Sequence, residues 1–330
     1  MRKIRYILIL ALLLCSAYGF SQIEMLKQQK LKKWNIPSAN YSGITPLGNN
    51  RYAVVSDKQP NDGYYEFLIE QNAETGKVEN VQIIGFHGNE RHYRDAEGIT
   101  YLPNRNTVFI AAEDDQRIME YSMNGKTTFR ELAIPSEFNI NNIINNKGFE
   151  SLCYCDKTAL FWTCTESFVK EDAGFALKSN GRDKIRLQSF DTNLRPKEQY
   201  IYTTDQPQIK DNAKDIAFGV SDIAALNDRS LLILEREFLV KEGYIGSFVN
   251  NKIYKFTPGN TEKHLMAEWT TKLNLTRRNL ANYEGMCLGA RLEDGRQTIL
   301  LISDSQGGYG NSVFHLKDYI KVGICNFDIQ

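Results

Sequence analysis

Acidic side chains recur at two fixed points of a repeated unit. DAEGITYLPNRNTVFIAAEDD, Asp95 to Asp115, shows the unit in full. Glu97 and Gly98 open a short apolar run, Ile99 to Leu102. A turn with Pro103 and Asn104 follows. A longer apolar run, Thr107 to Ala112, then ends in Glu113, Asp114 and Asp115. The unit returns at SGITPLGNNRYAVVSDK from Ser42, FESLCYCDKTALFWTCTES from Phe149, VSDIAALNDRSLLILEREF from Val220 and YEGMCLGARLEDGRQTILLISDSQ from Tyr283. Glu97, Glu150, Asp222 and Glu284 stand at the opening of the first run, where the first unit has Ser42. Asp57, Glu113, Asp114, Glu166, Glu235, Glu237 and Asp304 close the second run.

Charge of one sign gathered at one place is a chemical problem. Like charges raise one another's pKa, and partial burial raises it further. A hard divalent cation removes the conflict, and calcium accepts about six to eight oxygens in irregular geometry. The ligands expected for such a cation are Asp57, Glu97, Glu150, Asp222, Glu284 and Asp304. Basic residues are interleaved with these acids: Lys58, Arg91, Arg94, Lys147, Arg236 and Arg278. They suit either the acids themselves or the oxygens of an anionic substrate. Metal ions and guanidinium groups together are the usual apparatus for a phosphoryl group. Glu97, Glu150 and Glu284 are the expected catalytic carboxylates, with His92 of RHYRDAEG as a general acid or base. The plainer reading of each motif is a turn, because Asp or Glu before glycine caps backbone N–H groups. A lone loop histidine is, by the same standard, a solvated one.

The elements that must position these residues are strands. The first run of each unit is short and apolar, and the second is almost continuously apolar. A third, alternating strand is expected at Glu66–Gln71, Ile118–Ser122, Arg186–Asp191, Ile253–Thr257 and Val313–Lys317. A fourth, more polar strand is expected at Val78–Gly85, Thr128–Ile134, Glu198–Thr203 and Lys263–Thr270. A gradient from buried to half-exposed over four strands is that of a propeller blade read outward from the axis. The chain is thus all-β, a β-propeller of four-stranded antiparallel blades. Five repeats are readable, for five or six blades. The fifth unit lacks a fourth strand unless Val322–Phe327 or the N-terminal segment supplies it. Strands one and two are antiparallel neighbours, so the opening of one and the end of the other lie at the same end of the sheet. The carboxylates therefore converge on one face near the central channel. A two-sheet sandwich would not explain that recurrence.

The first 21 residues read as an address. Arg2, Lys3 and Arg5 precede an apolar run, Ile7 to Leu14, that is too short to span a bilayer. Gly19 and Ser21 suit cleavage before Gln22, which implies export to the periplasm or beyond. Lipidation at Cys15 is the less favoured route. Residues 22–40 are expected to form an arm, a short helix or a loose segment over Gln22–Lys33, with Trp34–Pro37 as a candidate closing strand. Residues 41–330 are then the propeller. Of the 330 residues, 42% are hydrophobic and 24% charged, and 40 basic residues balance 40 acidic ones. That balance excludes a bulk electrostatic case for nucleic-acid binding. Beyond Cys15, Cys153, Cys155, Cys164, Cys287 and Cys325 remain, an odd number. Buried apolar roles suit the first three, and a Cys287–Cys325 bridge is open. No P-loop, GxSxG elbow or HExxH is present. The glycine-rich Ser305–Asn311 stretch precedes no helix and reads as a loop.

DAEGI at Asp95, GFESL at Gly148 and NYEGM at Asn282, each followed by an apolar strand that ends in Glu or Asp, resemble the phytase-like family. Its domain is described as an esterase-like activity of phytase. The resemblance covers Tyr41 to Leu316. It implies a secreted bacterial propeller whose repeated acidic residues carry phosphoesterase activity on a small phosphate ester. Ser42 and Asp222 depart from the glutamate pattern and put a symmetric metal ring in doubt. The other reading is a non-catalytic propeller that binds a ligand or a cell-surface partner at the same face. Fold alone does not separate the two.

Overall fold

Burial falls off across each repeated unit as the apolar gradient requires. In the second unit the innermost strand is almost wholly buried, and the outermost has no fully buried residue. The computed structural model describes residues 22–88, 93–208, 213–276, 278–308, 310 and 314–329. The address segment 1–21, Cys15 included, lies outside them.

The chain enters through two short strands, β1 (Ile23–Met25) and β2 (Gln29–Lys30), and then builds blades in sequence. The first blade is β3 (Tyr41–Gly48), β4 (Arg51–Ser56), β5 (Gly63–Gln71) and β6 (Val78–Gly88). The second is β7 (Ala96–Leu102), β8 (Thr107–Ala112), β9 (Arg117–Ser122) and β10 (Thr127–Glu131). The third is β11 (Phe149–Cys155), β12 (Leu160–Thr165), β13 (Lys184–Asp191) and β14 (Pro196–Thr203), with α1 (Ala173–Lys178) in its widest insertion. The fourth is β15 (Ala213–Ala225), β16 (Leu231–Lys241), β17 (Phe248–Phe256) and β18 (Lys263–Lys272). Then come β19 (Asn279–Leu280), β20 (Asn282–Arg291), β21 (Gln297–Asp304), β22 (His315–Leu316) and β23 (Tyr319–Cys325).

The fifth blade corrects the sequence reading. Its third strand is β23, not Val313–Lys317. His315–Leu316 instead pairs in parallel with β19, a small cap over blade four. Its fourth strand comes, as one of the two expected sources, from the start of the chain, because β1 pairs with β23 in the register Ile23↔Cys325 and β2 pairs with it at Gln29↔Ile320. The arm is therefore strand rather than helix, and Leu31–Trp34 is a 3-10 turn rather than part of a closing strand. The closure hides an edge that would otherwise offer unpaired N–H and C=O groups. All five described cysteines are buried and free, so Cys287 and Cys325 are not bridged.

Each pair of adjacent blades encloses its own apolar core. Phe109 and Phe161 meet between blades two and three, and Leu232 and Met286 between four and five. The inner strands close in a ring around the axis. At the opening of each inner strand the ladder slips, a β-bulge. The slips fall between Ala96 and Gly98, Phe149 and Ser151, Val220 and Asp222, Tyr283 and Gly285, and Tyr41 and Ile44. The residue after the bulge faces the inner strand of the next blade. A Cβ on Gly98 would lie 2.8 Å from the Leu152 backbone nitrogen, and one on Gly43 would lie 2.5 Å from the Glu97 carbonyl oxygen. Gly98→Ala should therefore destabilise the fold by about 1–3 kcal/mol through overpacking against backbone. Gly85→Ala is the control, since a Cβ there meets open space. Urea unfolding of both variants checks this, and equal midpoints would contradict it.

Candidate functional site

The bulges decide which side chains reach the channel. The extra residues are Glu97, Glu150, Ser221 and Glu284, with Ser42 and Gly43 in blade one. Asp222 thus stands one place beyond the glutamates rather than in line with them. Its carboxylate turns into the seam between blades, where it accepts the N–H of Met286 at 2.6 Å and of Ile223 at 2.8 Å. Burial pushes its pKa well up, against those two hydrogen bonds. It does not line the channel cavity.

A second set comes from the ends of the neighbouring strands. Ser56, Ala112, Thr165, Glu235 and Ser303 pair with the residues just before each bulge. The residues that follow them are Asp57, Glu113, Glu166, Arg236 and Asp304. These five and the three bulge glutamates line one cavity of about 630 Å³ at the mouth of the channel. Lys58, Lys147, Asn40, Asn146, Asn282 and Gln306 complete much of its wall. Beyond it the channel turns apolar, with Ile44, Ile99, Leu152 and Met286 around a smaller vestibule toward the opposite end.

Seven carboxylates here face three cations, Lys58, Lys147 and Arg236. The pairing is uneven. The buried Arg236 donates to Glu166 at 2.6 Å, to Asn282 at 3.1 Å and to Glu284. Lys147 donates to Glu166 at 2.7 Å. Lys58 reaches Asp95 at 3.0 Å and Asp57 at 3.1 Å. Glu97 and Glu150 are 7% and 8% exposed, and among the described residues no hydrogen bond or ion pair reaches either carboxylate. Among the described residues Asp57 Oδ1 is buried without a hydrogen-bond partner, and Asp57, Asp95 and Glu97 each bring an oxygen within 4.8 Å of the others.

Titration follows from this arrangement. Burial, then Glu150, Asp57 and Glu284, hold Glu97 well above the ordinary carboxylate range. Burial, then Glu166, Glu113 and Glu284, do the same to Glu150. Asp304 is raised by burial and by Glu284 and Asp57. Glu284 is pushed up to about 7, because burial outweighs the pull of Arg236. Burial also works against the Arg236 charge, but Glu166, Glu284 and Glu150 outweigh it.

The expected basic residues divide. Lys58, Lys147 and Arg236 line the cavity. Arg94 does not. It is buried inside blade two, paired with Asp115 at 2.8 and 3.0 Å and donating to Tyr121 and the Arg117 carbonyl, a structural knot. Arg278 is exposed, outside the cavity, where its carbonyl accepts the His315 N–H. Arg91 and His92 lie outside the described residues. The residues missed from sequence were Asn40, Asp95 and Asn282. Each stands two places before the bulge, and Asn40 and Asp95 accept the N–H of Asp57 and Glu113 through their carbonyls. The signal was legible as an Asn or Asp two residues ahead of Ser42, Glu97 and Glu284, where the other two units have Gly148 and Gly219.

A family model described as an esterase-like activity of phytase matches residues 36–306, a span that holds every ring residue. The chain belongs to the phytase-like family. In structure it is similar to a luciferin-regenerating enzyme, at 11% identity over 91% of this chain and 97% of that one, TM-score 0.46. It is also similar to the catalytic domain of a Coprinopsis cinerea GH62 α-L-arabinofuranosidase, at 12% identity over 92% and 96%, TM-score 0.44. A third likeness is the WD40 β-propeller domain of Doa1, at 7% identity over 92% and 97%, TM-score 0.34. These likenesses carry nothing about activity. No curated protein sequence matches the chain.

The raised carboxylates set the sign of a pH effect. Glu284 holds its proton to about pH 7 when folded, against an ordinary value of 4.5. Between those values the folded state binds more protons than the unfolded chain, so stability without metal falls as pH rises. Thermal melts in EDTA should give a lower Tm at pH 8 than at pH 5. Glu97→Gln should raise or preserve the pH 8 value, because it removes a repelling charge that no partner offsets. A wild-type Tm in EDTA that climbs from pH 5 to 8 would contradict this account.

Proposed function

We propose that this phytase-like propeller hydrolyses phosphate esters at the carboxylate cavity, with a divalent cation held there. One observation carries the reading. Among the described residues, no hydrogen bond or ion pair reaches the buried carboxylates of Glu97 and Glu150, and Asp57 Oδ1 has no hydrogen-bond partner. A buried carboxylate without a partner is costly, and a cation is the group that would repay it. The donor set fits, since it is all oxygen, as calcium prefers. Asp57, Asp95 and Glu97, whose oxygens lie within 4.8 Å of one another, would hold the ion, with Glu150, Glu284 and Asp304 lining the same cavity. Bound there, it would polarise phosphoryl oxygens and lower the pKa of water.

The chain's own residues would do the rest. Arg236 and Lys147, both paired with Glu166, line the same cavity and would take phosphoryl oxygens. Glu284, near neutrality, is suited to give a proton to the departing alcohol or accept one from water. Export through a leader ending at Ser21 belongs to the same proposal. A non-catalytic ligand-binding face is the competing reading. The Arg236–Glu166–Glu284 cluster favours it, because that half of the ring already neutralises itself.

The test is a panel of phosphomonoesters and phosphodiesters given to the purified protein with calcium or with EDTA. Calcium-dependent hydrolysis is expected, with kcat lowered about 10²-fold or more in Glu97→Gln. Calcium should also raise the wild-type Tm and leave Glu97→Gln unmoved. No hydrolysis and no thermal response with any divalent cation would sink the reading.

A further inference from the structure

A further cavity, of about 420 Å³, is separate from the channel. None of its wall residues belongs to the carboxylate cavity or to the apolar vestibule. It opens where the start of the chain closes the ring. Lys27 and Lys30 come from the arm, Trp269 from β18 at the outer edge of blade four, and Tyr319 and Lys321 from β23.

Lys321 is out of place for the fold. Successive residues of a strand face opposite sides. Ile320 and Val322 enter the core between blades five and one, whereas Tyr319 and Cys325 enter the core between blades four and five. Alternation puts Lys321 on the side of Tyr319 and Cys325, where an apolar side chain would fill the seam at no electrostatic cost. Lys321 is 7% exposed. Its ammonium donates to the Leu26 carbonyl and lies 5.6 Å from the centre of the Trp269 ring. It thus sits between two walls of the cavity, Trp269 and the arm that continues from Leu26 into Lys27. Both of its partners are neutral. Burial pushes its pKa down to about 8 from an ordinary 10.5, and no carboxylate works against that burial. A buried cation is costly unless a negative charge compensates it.

The rest of the wall repeats the sign. Lys27 and Lys30 are exposed, and among the described residues no ion pair reaches Lys27, Lys30 or Lys321. No carboxylate stands in the wall, although the chain as a whole has as many acidic as basic residues. The half-buried Trp269 is held edge to face by Tyr283, with ring centres 5.7 Å apart, so its place in the wall is fixed. A fixed indole beside cations suits a ligand that is flat and apolar at one end and anionic at the other.

We propose that this cavity binds a small organic oxyanion. Its carboxylate or phosphoryl oxygens meet Lys321, Lys27 and Lys30, and its flat apolar part lies along Trp269. Such a ligand touches the arm, β23 and blade four at once, so it also fastens the closing strands to the blade beside them. The site is independent of any hydrolysis in the channel.

The test is calorimetry and thermal melting in EDTA, which keeps calcium out of the carboxylate cavity. Benzoate, phenylphosphonate, benzyl alcohol and inorganic phosphate are each added to the wild type, to Lys321→Met and to the double variant Lys27→Gln/Lys30→Gln. Benzoate or phenylphosphonate should bind the wild type and raise its Tm, and the tighter of the two identifies the oxyanion. Benzyl alcohol and inorganic phosphate, each lacking one half of the ligand, should bind about tenfold or more weakly. Lys321→Met keeps an unbranched side chain in the seam and removes the charge. It should lose about tenfold or more in affinity, while its Tm without ligand stays level or rises. The double variant alters only exposed side chains and carries the test if Lys321→Met fails to fold; it too should bind more weakly. No binding of either aromatic anion, or equal binding by all three proteins, would overturn the proposal. Benzyl alcohol or inorganic phosphate binding as tightly as the aromatic anions would overturn it as well.

Discussion

Five inner strands must meet around one axis, and backbone can approach backbone that closely only where side chains are missing or turned aside. Gly43, Gly98 and Gly285 mark the closest approaches, each against the inner strand of the next blade. The bulge just before each small residue absorbs an extra amino acid and re-aims it. The glutamates at Glu97, Glu150 and Glu284 are those extra amino acids. Their convergence on the channel mouth is thus a consequence of ring closure. Asp222 shows the rule from the other side. It occupies the place of a small residue, and its carboxylate has to go into the seam, where the Met286 N–H receives it.

That geometry concentrates charge against an apolar wall. The carboxylates sit above Ile44, Ile99, Leu152 and Met286, so water reaches them from one side only. Desolvation leads the causes that raise Glu97, Glu150, Glu284 and Asp304, and mutual repulsion adds to it. Arg236 breaks the symmetry. It takes the place held by an acid in the other four blades and ties Glu166 and Glu284 into a neutralised knot. Among the described residues Glu97 and Glu150 are left without a cation, while Asp57 shares Lys58 with Asp95.

Much of this was legible in the chain. The repeat of apolar runs gave the blades, and the antiparallel pairing of the first two strands put the acids on one face. Two kinds of information were not legible. The first was a one-residue shift, because VSDI aligns with DAEGI by charge but not by bulge. The bulge residue is Ser221, and only the pairing of Val220 with Glu235 shows it. The second was what long-range partners do with a charge. Nothing local in RHYRDAEG says that Arg94 turns inward to Asp115 and Tyr121. The closing strand was misplaced for a related reason. Ile23–Met25 is too short to display periodicity, and its strand character comes from the edge of β23 that it covers.

The structural reading of the acids can be weighed against the fold itself. If the bulge needed a carboxylate to cap its turn, every blade would carry one. Blades one and four build the same slip with Ser42 and Ser221. Ser42 does so with a single hydrogen bond to the Ala96 carbonyl at 2.7 Å. Serine is therefore sufficient for the geometry, and it avoids the burial of an ionisable group. Glu97 and Glu150 add a carboxylate that, among the described residues, caps nothing and pairs with nothing. A buried charge of that kind lowers stability unless it is protonated or compensated. The fold does not require these glutamates, and their burial works against it. What they supply is a cluster of oxygens facing a cavity, and that is a reason of chemistry rather than of architecture.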